Sequence, residues 1–483
     1  MNTQNRTRRS DLARTLIVCM LTLCMAAGTA LFDEPAYGGD FSGSSPFSNT
    51  GRSTYYHNGR FNGNLIVNGV DISEWQSKNC DFAKAKNAGV DFAIMRVTGT
   101  FYGRSNLSTF NDDHFPTQYK NAKANGVMVG AYVFSQAKNA AEGRQEAQFA
   151  INRLKSLGIG PKDLQLPLYM DYEFAGGILG RMYGLKRADA TAAAVAFCNT
   201  VKAAGYTPGI YANTTFFNSH IDKSALASDV DLWCAQYYSR CESGVNYTKW
   251  QYTSSARIDG MLSNLGLQGN IDANYWYINK NVNNSPLTKI YGKNTLSVSD
   301  AKAPKFKIYN GSTLLKEGTD YVVGGIRNNK KGTGYAYIKG IGGYGGYALV
   351  PLKIEDKTSG SDSQELNGVS ANYLTAASGA QSAVQSGSGS GSASAVSSSA
   401  AGYRVGETYT VQVYLRVRTG ASTSYRWKKR SELTADGKRH AQPGTYAVLK
   451  KGTEVTCLQV NGDWIRIPSG WICCKEGSEI YIK

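Results

Sequence analysis

Residues 166–174 read LPLYMDYEF, a short apolar run that ends in two acidic residues. Side chains of a β-strand alternate between its two faces, so Asp171 and Glu173 point the same way. Two neighbouring carboxylates are costly inside a protein, and they are tolerated most readily at the C-terminal mouth of a parallel barrel, where active sites are built. The segment therefore predicts a buried strand that leads into a site with two acids. The alternative interpretation is a pair of surface salt bridges at a strand end.

Further apolar, β-rich runs flank this strand, and helix-like stretches such as 140–157 and 188–205 separate them; the runs are LIVNGVDI, FAIMRVTG, VMVGAYVF, PGIYAN and LWCAQYY. Strands that alternate with helices indicate parallel β/α units. Their nearly continuous hydrophobicity and the length of the region, 64–281, favour an irregular (β/α) barrel over an open doubly wound sheet. No Gly-x-Gly-x-x-Gly or Walker-type loop follows the first strand, which argues against nucleotide chemistry.

The N-terminal residues 1–32 have the pattern of a secretion signal. Basic residues, including Arg8 and Arg9, precede an apolar run at 16–32. That run is also near the lower length limit for a membrane span, so an uncleaved anchor stays open. Residues 33–63 are rich in Gly, Ser, Asn and Thr and predict a flexible leader.

The C-terminal half changes character. Alternating strands with Gly and Asn turns predict a small antiparallel β domain over 285–356. Residues 357–401 are Ser- and Gly-rich and predict a flexible linker. Short strands return over 402–483. The expected architecture is thus an α/β chain, with a (β/α) barrel catalytic domain followed by two small all-β domains.

Composition narrows the possible partners and cofactors. The chain has 483 residues, with 53 Lys and Arg against 36 Asp and Glu, and a formal net charge of +17. For an exported protein the polyanions at hand are cell-wall polymers and membrane surfaces, rather than nucleic acid. The nine cysteines are scattered and there are only four histidines. We therefore expect no disulfide framework, no zinc site and no other cofactor.

Two more acids follow apolar runs, Asp71 in VDISEWQ and Asp272 in GNIDAN. Close carboxylates cannot all ionise freely, so the pKa of one rises and leaves a protonated acid at neutral pH. Cleavage of a glycosidic bond requires such an acid. Glu173 is the candidate for this role.

Several separated motifs resemble those of glycoside hydrolase family 25, the Chalaropsis-type lysozymes; they are GVDISEWQ, AGVDFAIMRVTGT, GAYVFS, LPLYMDYE, AFCNTVKAAGYTPGIYAN, LWCAQY, WQYTSS and GNIDANYW, over roughly 66–278. The resemblance implies hydrolysis of the β-1,4 bond after N-acetylmuramic acid in peptidoglycan. It implies Glu173 as proton donor, Asp171 as its carboxylate partner, and Asp71 and Asp272 as further acids of the site.

The resemblance also suggests which residues line the sugar groove: Tyr132, Tyr211, Trp233, Tyr237 and Gln251. Each of them could equally be a core residue. Arg96 is either a groove residue or the partner of an acid. The family commonly has His at position 133 and Gly at position 77, where this chain has Val133 and Ser77. These departures are expected to tune substrate subsites.

The accessory segments resemble known modules through shorter motifs. Residues 306–355 are similar to small Ig-like bacterial surface repeats. The last segment is similar to bacterial SH3-type wall-binding domains, through LRVR at 415–418 and WIRI at 464–467. Tethering a binder near an insoluble polymer raises the effective concentration, although inert spacers are the alternative.

Together these features predict a secreted, wall-associated monomeric muramidase that acts on peptidoglycan glycan strands and contacts anionic wall polymers. Contact with a membrane is expected only through an uncleaved N-terminal segment. A chitinase-like barrel is disfavoured, because Leu166 and Tyr169 stand where that family's strand motif has acids. A binding protein that has lost turnover remains the alternative from another class. Autolysin, toxin and phage-derived lysin all stay open, as does retention or inversion at the cleaved bond.

Overall fold

The computed structural model describes residues 40–103, 106–280, 288–366, 370–376, 403, 407–421, 426–461, 463–476 and 479–483. The chain divides into two compact units, Met1–Ser382 and Ala383–Lys483. No helix in the described ranges is long and apolar enough to cross a membrane. The predicted signal segment and most of the predicted linker lie outside the described residues.

Within the described residues, eight strands close into a barrel: β1 Leu65–Ile72, β2 Phe92–Thr100, β3 Met128–Ser135, β4 Leu168–Tyr172, β5 Pro208–Asn213, β6 Asp231–Ala235, β7 Lys249–Ala256 and β8 Ile271–Ile278. Neighbours from β1 to β7 are parallel, and β8 lies antiparallel between β7 and β1. A short strand, Thr109–Asn111, pairs with the end of β2. The predicted irregular barrel is confirmed.

The α-helices of the barrel are α1 Phe82–Asn87, α2 Phe115–Ala124, α3 Ala140–Ser156, α4 Arg187–Ala203 and α5 Thr214–Ser219. The Asn139 side chain accepts a hydrogen bond from the Glu142 backbone and begins α3. Small residues let α3 and α4 pack closely: a Cβ on Gly143 would lie 2.3 Å from the Ala193 carbonyl oxygen. Short 3-10 helices occupy connections at Gly59–Phe61, Pro161–Asp163, Gly177–Leu179, Lys223–Ala225 and Asp300–Lys302.

Residues 40–63, which belong to the segment predicted as a flexible leader, form secondary structure. Strands Phe41–Gly43 and Tyr55–His57 pair with each other. The Tyr55 side chain is fully buried, and its ring meets those of Trp250 and Tyr252 edge-on. A few aromatic residues in this polar segment are enough to anchor it to the barrel, because each buries a large apolar area.

A β domain follows the barrel in the same unit. Its strands are Thr288–Gly292, Thr295–Ser297, Phe306–Asn310, Thr313–Leu314, Tyr321–Ile326, Gly332–Gly340, Tyr344–Glu355 and Ser370–Ala376. Most pairs are antiparallel, and Thr295–Ser297 runs parallel to its neighbour. The strand Ser370–Ala376 pairs with Tyr344–Glu355, although it falls in the segment predicted as a linker.

This β domain packs against the N-terminal end of the barrel. Ile326, Tyr337 and Leu349 share one buried apolar cluster with barrel residues such as Ile94 and Trp276. At the edge of this cluster a buried ion pair joins the two parts.

Lys86 and Asp91 form that ion pair, with Nζ and Oδ1 2.8 Å apart and both side chains almost fully buried. Asp91 also accepts a hydrogen bond from the backbone N–H of Arg327, and Lys86 donates to the carbonyl of Gly325. Arg327 has a φ of 51°, an unusual backbone conformation for a residue with a side chain. The β domain is therefore fixed to the barrel rather than tethered beside it.

The described part of the second unit contains short strands and the α-helix Ala435–His440; the strands are Thr408–Thr410, Leu415–Arg416, Val448–Leu449, Glu454–Thr456, Gln459–Asn461, Trp464–Ile467, Gly470–Cys473, Lys475–Glu476 and Glu479–Ile480. A 3-10 helix lies at Arg430–Glu432. The unit has its own core, which includes Val417, Ile465 and Ile472. Its SH3-type fold stays a prediction.

Replacing Asp91 with Ala should lower the free energy of unfolding by about 3–5 kcal/mol, because it leaves the Lys86 ammonium buried without its counterion. Asp229→Ala is the matched control, since Asp229 pairs with Lys202 at the surface and should lose less than about 1 kcal/mol. Urea unfolding of both variants measures the difference. Equal losses would contradict a stabilising role for the buried pair.

Candidate active site

The four predicted acids meet at the mouth of the barrel. Asp71 lies near the end of β1, Asp171 lies in β4, and Glu173 follows β4 directly. Asp272 differs from the expectation that it follows a strand: it is the second residue of β8. Because β8 is antiparallel, its beginning lies at the same edge as the ends of the parallel strands, and Asp272 pairs in register with Asp71.

Asp71 is held by two side-chain amides. Its Oδ2 accepts hydrogen bonds from Gln251 Nε2 at 2.9 Å and from Asn274 Nδ2 at 2.8 Å. All three side chains are buried. Hydrogen bonds donated to a carboxylate favour its ionised form, so these amides hold a negative charge at this point.

Aromatic side chains fix the orientation of both amides. The hydroxyls of Tyr211 and Tyr237 each donate to Gln251 Oε1 at 2.8 Å. The indole N–H of Trp233 donates to Asn274 Oδ1, also at 2.8 Å. Because the amide oxygens are occupied, the amide nitrogens must face Asp71.

Burial raises the pKa of all four acids, but to different extents. Burial and the Asp71 charge raise the pKa of Glu173 to about 7. Burial raises the pKa of Asp71 to about 6, and the hydrogen bonds from Asn274 and Gln251 oppose that rise. Burial and acidic neighbours raise the pKa of Asp171 and of Asp272 well above the usual range. Near neutral pH the site therefore holds both a proton and a negative charge.

Asp171 has an unused acceptor. Its Oδ1 atom is buried and has no hydrogen-bond partner among the described residues. A buried polar atom without a partner is unfavourable and is a feature of functional sites. The oxygen is available to a substrate.

Arg96 binds two acids outside the set of four. Its guanidinium lies 2.8 Å from Asp112 Oδ2 and 2.9 Å from Glu74 Oε1. Asp112 also accepts from the backbone N–H of Glu74. Of the two roles predicted for Arg96, its contacts support that of an acid partner, which fixes the loop after β1. The motif VDISEWQ contained Glu74, but nothing in the sequence paired it with Arg96.

The predicted groove residues have different surroundings. Tyr237 is 40% exposed and Tyr132 is partly exposed, so both can offer ring surface. Gln251 and Tyr211 are buried in the amide network. Trp233 is 1% exposed and packs against Tyr211, so its predicted sugar contact is corrected to a positioning role through Asn274. Asn274 was not predicted, although the strand period places it on the same face as Asp272.

A second buried network positions the backbone of Glu173. Gln136 Nε2 donates to the Glu173 carbonyl oxygen at 3.0 Å, and the backbone N–H of Gln136 donates to Glu146 Oε1 at 3.0 Å. The Glu146 carboxylate also accepts from Thr100 and Ser135, at the ends of β2 and β3. Sequence reasoning missed this acid, because a single Glu on a helix carries no signal of its contacts.

In the described part of the chain, no group of three or more His, Cys, Asp or Glu residues is placed to hold a metal ion.

Comparisons with known proteins identify relatives of the barrel. Residues 70–261 match the family model described as "Glycosyl hydrolases family 25". Lysozyme M1 of Streptomyces globisporus is 26% identical over 215 residues, covering 43% of this chain and 67% of that protein. The lysozyme of Lactococcus phage mv1 is 27% identical over 173 residues, or 35% of this chain and 78% of that one. Among solved structures, the modular autolysin LytC of Streptococcus pneumoniae is 22% identical with a TM-score of 0.37. The match covers 44% of this chain and about half, 47%, of LytC.

Replacing Glu173 with Gln should stabilise the protein by roughly 3 kcal/mol at pH 8 and leave its stability unchanged at pH 4. With a pKa raised from 4.5 to about 7, the folded protein holds a proton that the unfolded chain releases, so the wild type loses stability as pH rises through this window. The neutral amide of the variant does not titrate, so the variant does not lose this stability. Urea unfolding at both pH values measures this difference.

Glu317→Gln is the control, because Glu317 is exposed and distant in sequence from the site. It should change stability by less than about 0.5 kcal/mol at either pH. Equal stability of the wild type and Glu173→Gln at pH 8 would contradict a raised pKa at Glu173.

Proposed function

Because the barrel domain of this chain belongs to glycoside hydrolase family 25, we propose that the protein is a lysozyme that hydrolyses the β-1,4 bond between N-acetylmuramic acid and N-acetylglucosamine in peptidoglycan. The family match and the similarity to two lysozymes support this substrate. One observation carries the proposal. Glu173, whose pKa is raised to about 7, lies in the same site as the Asp71 carboxylate, which accepts two amide hydrogen bonds.

Glu173 is the general acid. It donates its proton to the glycosidic oxygen while the bond from that oxygen to the muramic acid C1 breaks, so the leaving sugar departs as a neutral alcohol. A carboxyl with its usual pKa would be ionised at neutral pH and have no proton to give. Burial and the Asp71 charge keep the proton in place until the substrate takes it.

Asp71 and Asp171 act on the positive charge that develops at C1. The Asp71 carboxylate, oriented before the reaction by Gln251 and Asn274, stabilises that charge without rearranging. Asp171 has a buried, unpartnered oxygen that accepts the N–H of the substrate's acetamido group. This contact orients the acetamido oxygen toward C1. A water molecule then forms the new bond from its oxygen to C1 and gives one proton to the ionised Glu173, which restores the acid. Asp272, paired with Asp71, lowers the pKa of Asp71 through a side-chain hydrogen bond and raises the pKa of Asp171 through its charge.

Tyr237 and Tyr132 supply the aromatic surface of the groove, because they keep ring surface accessible at the mouth. Sugars present apolar faces that pack on such rings, while their hydroxyls bind polar tips.

The proposal places the enzyme outside the cell, in contact with the wall. The basic and apolar N-terminal residues support export, and the net charge of +17 supports contact with anionic wall polymers. The unit Ala383–Lys483 is proposed to bind the wall. Its cationic and aromatic side chains lie together: the Arg416 guanidinium is 3.5 Å from the centre of the Trp427 ring.

Glu173→Gln should lower the rate of peptidoglycan hydrolysis by about 10²–10⁴-fold, because it removes the donated proton. Mass spectrometry of the products identifies the new reducing end, which should be muramic acid. Glu317→Gln should retain full activity. A reducing glucosamine would contradict the proposed bond, and no product from the unsubstituted protein would favour the binding-protein alternative.

The pH profile of kcat/KM should fall above about pH 7, where Glu173 loses its proton. Asp71→Asn removes a negative charge that raises this pKa, so the alkaline limb of the residual activity should move to lower pH. Measuring both profiles with soluble glycan fragments tests the assignment. An alkaline limb that does not move would show that Asp71 does not act on Glu173.

A further inference from the structure

A cavity of about 320 Å³ lies between the N-terminal end of the barrel and the β domain, at the opposite end from the four acids. Its barrel side includes Trp276, Asp231 and Lys249, and its β-domain side includes Tyr337 and Lys339. The volume is within the range of small-molecule sites. Nothing in the proposed hydrolysis uses these residues.

The charges in this cavity do not balance. Asp231 is neutralised by Lys249, whose Nζ lies 3.0 Å from Oδ1, and it also accepts from the hydroxyls of Tyr169 and Thr248. Among the residues that the structure describes, no carboxylate lies within ion-pair distance of the Lys339 ammonium. Its side chain is nine-tenths buried, and its hydrogen bond is a long one, 3.4 Å to the Leu164 carbonyl oxygen. A buried ammonium in this position favours an anion.

The walls are suited to a ring-shaped ligand body. The rings of Tyr337 and Trp276 meet edge-on, with their centres 4.9 Å apart. The ring centre of Tyr347 lies 5.6 Å from that of Tyr337. An acidic sugar fits such surroundings, because its apolar face can pack on an aromatic ring while its carboxylate accepts charge-assisted hydrogen bonds from the ammonium.

We propose that this cavity is a second binding site, specific for a small sugar acid. Its chemistry matches the muramic acid end that the proposed hydrolysis releases, which carries a lactyl carboxylate when no peptide is attached. This identification of the ligand rests on the proposed function, whereas the anion site itself does not. Occupation of the site would couple the β domain to the product of the barrel.

Protonation of Lys339 links binding to pH. Burial and the Lys249 charge lower the pKa of Lys339 to about 7, against the opposing effect of Asp231. The cavity tyrosines Tyr247, Tyr277, Tyr337 and Tyr347 have pKa values raised by burial and stay neutral near pH 7. A carboxylate requires the charged ammonium, so affinity should fall about tenfold from pH 6 to pH 8.

Calorimetry on full-length Glu173→Gln protein tests the proposal, with N-acetylmuramic acid as the probe and neutral N-acetylglucosamine as its matched comparison. At pH 6, N-acetylmuramic acid should bind at least tenfold more tightly than N-acetylglucosamine. Adding Lys339→Met should remove that preference, whereas adding Lys307→Met, an exposed lysine of the same domain, should not.

Equal affinity for the two sugars, no binding of the acid, or an unchanged preference in the Lys339→Met protein would each overturn the proposal. Lys339→Gln replaces Lys339→Met if thermal melting shows that the latter does not fold. Failure of the proposed function is distinguishable, because it is measured separately as the absence of a reducing muramic acid from the unsubstituted protein.

Discussion

The mouth of the barrel holds four carboxyl groups close together, Asp71 and Asp171 buried and Glu173 and Asp272 partly exposed, and the local structure is organised around this unfavourable arrangement. Four ionised acids could not remain there together, because each would be poorly solvated and would repel the others. The surroundings of the four side chains differ accordingly. Asp71 receives two amide hydrogen bonds, whereas burial and the Asp71 charge favour a proton on Glu173. The division between an acid and an anion thus follows from hydrogen bonding rather than from residue type.

The supporting residues lie in two layers behind the acids. Phenol and indole groups orient the amides of Gln251 and Asn274, and these amides in turn orient Asp71. Glu146 and Gln136 do the same for the backbone of Glu173. Such preorganisation lowers folding stability. In return, the oriented groups stabilise the charge that develops in the substrate without rearranging during the reaction. Trp233 shows the consequence: an aromatic residue of an active site can act entirely through hydrogen bonding from within the core.

The β domain adds a second junction of buried charge. Lys86, Asp91 and the backbone near Arg327 join it to the barrel, and an apolar cluster continues across the contact. Residues of both parts line the cavity that contains Lys339. The sequence predicted this β domain as a separate accessory module. Its contacts instead make it part of one compact unit with the barrel.

The sequence by itself determined the barrel and the four acids, because apolar strand runs and carboxylates at strand ends are local patterns. It also indicated Gln251 and Tyr237. The tertiary structure alone decided which residues surround the acids: Asn274, Arg96 with Glu74, and Glu146 act across strands that are distant in the chain. It also decided that Asp272 reaches the mouth from the beginning of an antiparallel strand. Neither burial nor a hydrogen-bond partner 200 residues away is a local property, and the pKa values that separate acid from anion depend on both.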